Sequence, residues 1–282
     1  MRTHLDCLPC FLNQGLKAAR FCAPGDEELH RTVLRRWSSR LAEVDIDRPP
    51  PAVAGDLYRD IAPLLRTNDP FYQEKKASNA RALELLPQLD EDVLASPDPL
   101  LKALQLSIIG NLIDSGVGKA FDWEETLTRE EQELDREAYA HFRQAIEDHG
   151  QVMILGDNAG EIALDTVLVR ELQRLGCRVV YAVRGSPIIN DATLEDAEEV
   201  GMTSCCRVIS SGADTPGTVL SRCSAEFLEE LQCSPVVLSK GQGNLESLCE
   251  ERSGIFYALK VKCRVISDLT GLGEGTSALI FR

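Results

Sequence analysis

The sequence predicts an α/β protein: a mostly parallel, doubly wound sheet in the second half, preceded by an all-helical first half. Three observations carry this. Apolar residues in the first 150 positions recur at spacings of three and four, with no period-two alternation. From Gln151 the pattern changes to short apolar runs, each closed by Gly, Asn, Asp or Ser and most followed by a helical stretch. Most of those runs return after about 27 to 30 residues, the length of a strand-loop-helix-loop unit.

In the first half, Leu29, Val33, Leu34, Trp37 and Leu41 mark one helix face. Helices should stop at Pro49-Pro50-Pro51, at Asn68-Asp69-Pro70 and at Ser96-Pro97-Asp98-Pro99, which gives about six. The last, over about residues 128–149, is so charged that only a narrow apolar stripe remains, and it leads into the second half. The expected domains are therefore residues 1–127, helical, and 128–282, α/β. The strands are expected at Val152-Met153-Ile154-Leu155, Val179-Val180-Tyr181-Ala182-Val183, Arg207-Val208-Ile209, Val236-Val237-Leu238 and Ile255-Phe256-Tyr257-Ala258-Leu259, with Arg264-Val265-Ile266 as the candidate for a sixth.

Thirty Lys and Arg against 45 Asp and Glu give a net charge of −15 over 282 residues. That excess repels nucleic-acid phosphates and anionic lipid surfaces, so neither is an expected partner. No run approaches the ~18 apolar residues of a membrane span, and the start lacks the apolar stretch of a signal peptide. The expectation is a cytoplasmic protein with no obligate protein partner. Its ten cysteines are scattered singly and read mostly as small buried hydrophobes.

In open α/β sheets ligands bind beyond the carboxyl ends of the strands. There the sequence places Gly156-Asp157-Asn158-Ala159-Gly160-Glu161, then Arg184-Gly185-Ser186-Pro187-Ile188-Ile189-Asn190-Asp191, then Ser210-Ser211-Gly212, then Ser239-Lys240-Gly241-Gln242-Gly243-Asn244. Asp157, Asn158 and Asp191 offer hard oxygen donors suited to Mg²⁺ or Mn²⁺, and no histidine follows His149 to favour zinc. The plainer alternative is that Asp157 and Asn158 only cap the helix beginning near Gly160. The glycine-bearing stretches around Ser210, Ser211 and Gly212 and around Lys240 and Gly241 can turn backbone N–H groups toward an anion, with Lys240 adding a full charge, although glycines also mark ordinary turns. A divalent metal facing a lysine and such nests describes a clamp for a phosphoryl group.

As an ordered set, these motifs resemble the metal-dependent damage-control phosphatases, long catalogued as a domain of unknown function. Cys7-Leu8-Pro9-Cys10, Gly110-Asn111-Leu112-Ile113-Asp114 and Lys262-Cys263 are similar to the small microbial branch of that family, and the resemblance spans nearly the whole chain. It implies a helical domain beside a Rossmann-like three-layer α/β/α domain. It implies a divalent metal on Asp157, Asn158 and Asp191, with Mn²⁺ or Mg²⁺ foremost and Co²⁺ or Ni²⁺ as alternatives. It implies hydrolysis of small phosphate esters such as sugar phosphates or damaged phosphometabolites. Lys240 matches the family's phosphate-contacting lysine, Glu161 a pocket acid, and Asn111 with Asp114 a helical-domain motif facing the site; three apart, they can share one helix face.

Arg184, Asn190, Ser210, Ser211, Gly212 and Gly241 complete the expected substrate-binding set, with Arg184 standing where relatives are expected to carry lysine, a cation of different phosphate geometry. The expected reaction is direct attack by a water that Asp157 or Asp191 orients, while Lys240 and the Ser210, Ser211, Gly212 loop hold the phosphoryl oxygens. A covalent aspartyl route is disfavoured because Ala159 stands where the best-known Asp-nucleophile phosphatases carry a second acid. Cys7 and Cys10 have the spacing of half a zinc site or a redox pair; with Cys263, the third cysteine of the family pattern, they form a second metal site, a reversible disulfide or simple packing.

Other classes fare less well. A dinucleotide-binding oxidoreductase wants G-x-G-x-x-G after the first strand, where this chain has Gly156-x-x-x-Gly160. A serine hydrolase lacks both G-x-S-x-G and a histidine in the α/β half. A methyltransferase can cast Asp191 as its acid, but Asp191 lies about eight residues beyond Val183 and not at a strand end. A non-catalytic metal or phosphometabolite sensor remains the binding-protein alternative.

Overall fold

The computed structural model describes residues 1–110 and 134–282. Among them six helices precede the first strand: α1 (Cys7–Cys22), α2 (Glu27–Leu41), α3 (Pro50–Leu65), α4 (Tyr72–Ala95), α5 (Pro99–Ile109) and α6 (Arg136–His149). Their starts follow local chemistry. Asp26 and Asp98 accept hydrogen bonds from the N–H groups of Leu29 and Leu101, Pro50 and Pro99 open α3 and α5, and Asp135 accepts from Glu137 and Ala138. The left-handed Gly150 (φ 61) ends α6 and turns the chain into the sheet. The expected boundary between residues 127 and 128, and residues 128–133 of the helix expected there, lie outside the described residues.

The sheet has six strands, β1 (Gln151–Leu155), β2 (Arg178–Val183), β3 (Arg207–Ser210), β4 (Val237–Lys240), β5 (Ile255–Lys260) and β6 (Ser277–Phe281), in the order β3-β2-β1-β4-β5-β6. The first five are mutually parallel and β6 runs antiparallel to β5. From β1 the chain winds outward through α7 (Glu161–Arg174), β2, α8 (Leu194–Glu199) and α9 (Met202–Cys205) to β3. It then returns through α10 (Ala225–Cys233) to β4 on the other side of β1, and continues through α11 (Gln242–Leu248), β5 and α12 (Arg264–Thr270). The crevice between the carboxyl ends of β1 and β4 is thus the switch point where such sheets take ligands.

One expected strand is a helix. Arg264-Val265-Ile266 forms the first turn of α12, and the sixth strand is Ser277–Phe281. Three residues cannot distinguish a helical turn from a strand by periodicity. Residues 271–276 lead from α12 into β6, which pairs antiparallel with β5 at the edge of the sheet.

Alternation along the strands sorts their side chains to two faces. Val152, Ile154, Tyr181 and Leu238 pack with α4, α5, α6 and α7, while Met153, Leu155, Val180 and Val237 pack with α10, α11 and α12. A third core lies among α1, α2 and α3 around Trp37, whose indole N–H donates to Leu57 O at 3.0 Å. Gly15 lets α1 approach that ring, because a Cβ there would sit 2.6 Å from it. Ile188, from the loop after β2, inserts into this third core and so ties the helices to the carboxyl edge of the sheet. Among the described residues no helix is long and apolar enough to cross a membrane.

Candidate active site at the carboxyl edge of the sheet

The two loops that carry the expected metal ligands are locked to each other by backbone pairing. Ala159 N–H donates to Asn190 O and Ala192 N–H to Asp157 O, both at 2.8 Å, which makes an isolated antiparallel bridge between Asn158 and Asp191. Asp157 and Asn158 therefore stand together with Asp191, which lies 33 positions after Asn158 in sequence. The β2 loop reaches this position through Ile189, a β-branched residue in the left-handed region (φ 45), a backbone conformation that costs about 1–3 kcal/mol and persists only where packing imposes it. Its neighbour Ile188, buried among the α1–α3 helices, is the anchor that imposes it. From below, Asn79 of α4 accepts the Gly160 N–H at 2.7 Å and donates to Asp196 at 3.2 Å. Asp196 also closes the capping box that starts α8 and pairs with Lys75 at 3.1 Å.

Asp157, Asn158 and Asp191 are all buried, yet they line one wall of a cavity of about 370 Å³ that opens between α1, α3, α11 and the β5–α12 loop. The Asn158 amide donates to Asp157 at 2.9 Å. Arg184 sits behind the pair: its guanidinium bonds Asp191 at 2.6 Å, Asn244 at 3.1 Å and Thr218 at 3.4 Å, and lies 3.8 Å from Asp157. Asn244, at the start of α11, donates in turn to Lys240 O at 2.7 Å and Gly156 O at 3.2 Å, so it joins the ends of β1 and β4. Gly241 is glycine for Asp157's sake: at φ 78, a Cβ there would lie 2.0 Å from the Asp157 carboxylate.

Burial pushes the Asp191 carboxyl up to about 7 against the pull of Arg184, and the charge of Asp157 adds to the rise. Two carboxylates and an amide, held close and offset by Arg184 with Lys262 further out, form a hard-oxygen donor set of the kind that fits a divalent cation. Among the described residues no three His, Cys, Asp or Glu side chains gather to hold a metal, so any set here is completed by the Asn158 amide.

Several expected substrate contacts lie elsewhere. Lys240 ends β4 pointing to the α5–α7 face, fully buried, and its ammonium donates to Glu161, to Asp165 at 2.8 Å and to Ser107 O at 3.1 Å. Burial opposes its charge, but Asp165 and Glu161 outweigh burial and raise its pKa. Burial likewise lifts the Glu161 carboxyl to about 8, with Lys240 opposing and Asp157 and Asp165 adding. Neither Lys240 nor Glu161 lines the cavity.

The loop of Ser210, Ser211 and Gly212 is also internally satisfied: Ser211 N–H donates to Val183 O at 2.7 Å, Gly212 N–H to Ser210 Oγ at 3.1 Å and Ala213 N–H to Ser211 Oγ at 3.3 Å. Gly241 N–H is spent on Ala258 O at 3.0 Å. Arg184 braces the carboxylates and does not reach the cavity, whereas Asn190 does line it. Asn111 and Asp114 lie outside the described residues.

Cys7, Cys10 and Cys263 border the same cavity, all three as free thiols, and burial pushes Cys7 up to about 11 and raises Cys10. Sequence reasoning missed the bracing trio of Arg184, Thr218 and Asn244 and the Lys240–Asp165–Tyr181 cluster, in which Asp165 also accepts from Tyr181 OH and Ser107 Oγ at 2.6 Å each. Asn244 was within sight, closing the Lys240-Gly241-Gln242-Gly243-Asn244 motif, but nothing in its spacing marks an amide that caps two strands.

A mostly parallel sheet with oxygen donors gathered beyond its carboxyl edge, lining an open cavity, defines the class: an α/β protein with a small-ligand site at that edge. More particularly, the chain belongs to the damage-control phosphatase ARMT1-like domain family, which matches residues 3–278. It is 30% identical to an uncharacterized protein of Methanocaldococcus jannaschii, over 98% of this chain and 94% of that one. It is also 30% identical to the damage-control phosphatase PH1575 of Pyrococcus horikoshii, over 95% and 93% of the two chains, and to a damage-control phosphatase of Archaeoglobus fulgidus, over 95% of each. The crystal structure of a DUF89 family protein, PH1575 of Pyrococcus horikoshii, superposes with a TM-score of 0.88 at 27% identity, covering 100% of this chain and 99% of that one.

Proposed function

We propose that this chain is a phosphatase of small phosphate esters, acting on damaged or side-product phosphometabolites, with a divalent cation held by Asp157, Asn158 and Asp191. The observation that carries the reading is the backbone bridge between Asn158 and Asp191, which gathers two carboxylates and an amide at one wall of an open cavity. The family membership and the names of the two damage-control phosphatase relatives support the phosphatase assignment over methyl transfer. Cys7, Cys10 and Lys262-Cys263 support the small microbial branch, and the parallel order β3-β2-β1-β4-β5 supports a Rossmann-like α/β/α unit beside a helical one.

A cation bound there, Mn²⁺ or Mg²⁺, supplies Lewis acidity at the phosphoryl group. The chain's own residues do the rest. Arg184 and Gly241 hold Asp191 and Asp157 at their working positions, and Asp157 or Asp191 orients the attacking water by accepting its hydrogen bond. Lys262 and Arg264, which line the cavity, offer the positive charge that Lys240 cannot, being enclosed by carboxylates. The α1 and α3 walls limit bulk water around the ester.

The test is phosphate release from p-nitrophenyl phosphate and a set of sugar phosphates, using chelated protein with Mg²⁺, Mn²⁺, Co²⁺ or Ni²⁺ restored singly. Metal-restored release that falls by about 10³-fold or more in Asp157→Asn and Asp191→Asn is the expected result. Release that needs no metal, or that survives both substitutions, overturns the assignment.

A further inference from the structure

One face of α1 forms a wall of the cavity that also holds Asp157 and Asp191. Cys7, Cys10, Gln14 and Lys17 follow one another at spacings of three and four, so a single helical stripe faces the ligand space. Two features of this stripe are unexplained by packing. Gln14 buries its carbonyl oxygen without a hydrogen-bond partner among the described residues, a desolvation cost that a ligand hydroxyl would relieve. Lys17 has no carboxylate partner among the described residues; its ammonium rests 5.4 Å from the Phe21 ring centre and 6.0 Å from that of Phe71. Phe71 lines the same cavity as Lys17, so the ring contact keeps this cation beside the ligand space. The stripe runs about 15 Å from Cys7 to Lys17. Cys7 marks the end near Cys263 and Glu246, so Lys17 stands at the opposite end from Lys262.

We infer that Gln14 and Lys17 form a subsite for the end of the substrate remote from its phosphate, and that it selects a polyhydroxylated phosphate ester carrying a second anionic group. The phosphate end is served by the carboxylate-held cation and Lys262, which leaves Lys17 as a second, separated positive pole in a strongly acidic protein. An acyclic or ring hydroxyl donates to the Gln14 carbonyl, and a carboxylate or second phosphate meets Lys17. The inference rests on the phosphatase reading for its phosphate end.

The probes are glucose 6-phosphate and 6-phosphogluconate, which place a neutral and an anionic group at the end remote from the same phosphate. With full-length protein and Mn²⁺, each is measured as an inhibitor of p-nitrophenyl phosphate release. The wild type should bind 6-phosphogluconate about fivefold more tightly than glucose 6-phosphate. That ratio should collapse to about one in Lys17→Met and invert in Lys17→Glu, while Gln14→Leu should weaken both probes by about fivefold and leave their ratio intact. Equal affinities in the wild type, or a preference that persists in Lys17→Met, overturn the subsite. If p-nitrophenyl phosphate is not cleaved with any metal, the phosphatase reading fails on its own, and calorimetric affinities of the same two probes decide the subsite by the same ratios.

Discussion

Gly241 faces the tightest geometric demand in the site. A methyl group there meets the Asp157 carboxylate at 2.0 Å, and the backbone at φ 78 is unfavourable for any L side chain. Gly241→Ala should therefore displace Asp157, lowering phosphate release by about 100-fold or more and weakening Mn²⁺ binding, with far-UV circular dichroism unchanged. Activity within twofold of wild type would show that Asp157 does not need its place against β4. That Asp157, Asn158 and Asp191 stand together at the cavity was legible in the sequence, because hard donors at consecutive strand ends converge on one edge of a parallel sheet. For Gly241 the spacing suggests an N–H for the substrate, whereas the structure shows its missing side chain making room for Asp157, since a glycine's spacing does not tell the two apart. For Arg184, sequence places a cation near an anion site but does not reveal that it turns inward onto Asp191, Asn244 and Thr218.

Lys240 is the tie between elements, joining the end of β4 to α7 through Glu161 and Asp165 and to α5 through Ser107 O. Removing one partner of a buried ion pair leaves an uncompensated charge, worth about 3–5 kcal/mol. Lys240→Met should thus lower the urea midpoint strongly even in the absence of any phosphate ester, and Lys240→Met with Asp165→Asn should recover part of the loss. A lysine that mainly held substrate would leave the midpoint unmoved and raise KM alone. Side chains alternate along β4, so Lys240 leaves on the face of Leu238, toward α5 and α7 and away from the cavity, a direction that its place in the motif does not reveal.

The five parallel strands were legible from their apolar runs, since a strand buried on both faces reads as a continuous run bounded by turn residues. Ser277–Phe281 was not, because an edge strand that follows a glycine-rich turn lacks the strand-helix rhythm that revealed the others. The pairing of the β1 and β2 loops was likewise invisible, as it depends on Ile188 finding the α1–α3 core, a contact across more than a hundred positions.

For the whole molecule, the buried acids set the direction of its pH dependence. Burial, with the charges of Asp157 and Asp165 adding, holds the Glu161 carboxyl near 8, and burial holds Glu246 near 7, against about 4.5 for glutamate in an open chain. Between those values the folded protein keeps protons that the unfolded chain has released. Stability that is fully present at the low end of this window is therefore lost as the pH rises through it. This is the reverse of the usual carboxylate, whose salt bridges depress its pKa and whose contribution disappears toward acid. Chelated protein should accordingly melt at a lower temperature at pH 8.5 than at pH 5.5, by on the order of 5 °C. Glu161→Gln keeps the shape of the protonated acid and has nothing to titrate, so it should flatten that slope and raise the melting temperature at pH 8.5 relative to wild type. Thermal melts of both proteins at half-unit intervals across the window read this directly. A wild-type melting temperature that climbs from pH 5.5 to 8.5 would mean that Glu161 is ionised in the folded state and that Lys240 is balanced by two carboxylates, not one.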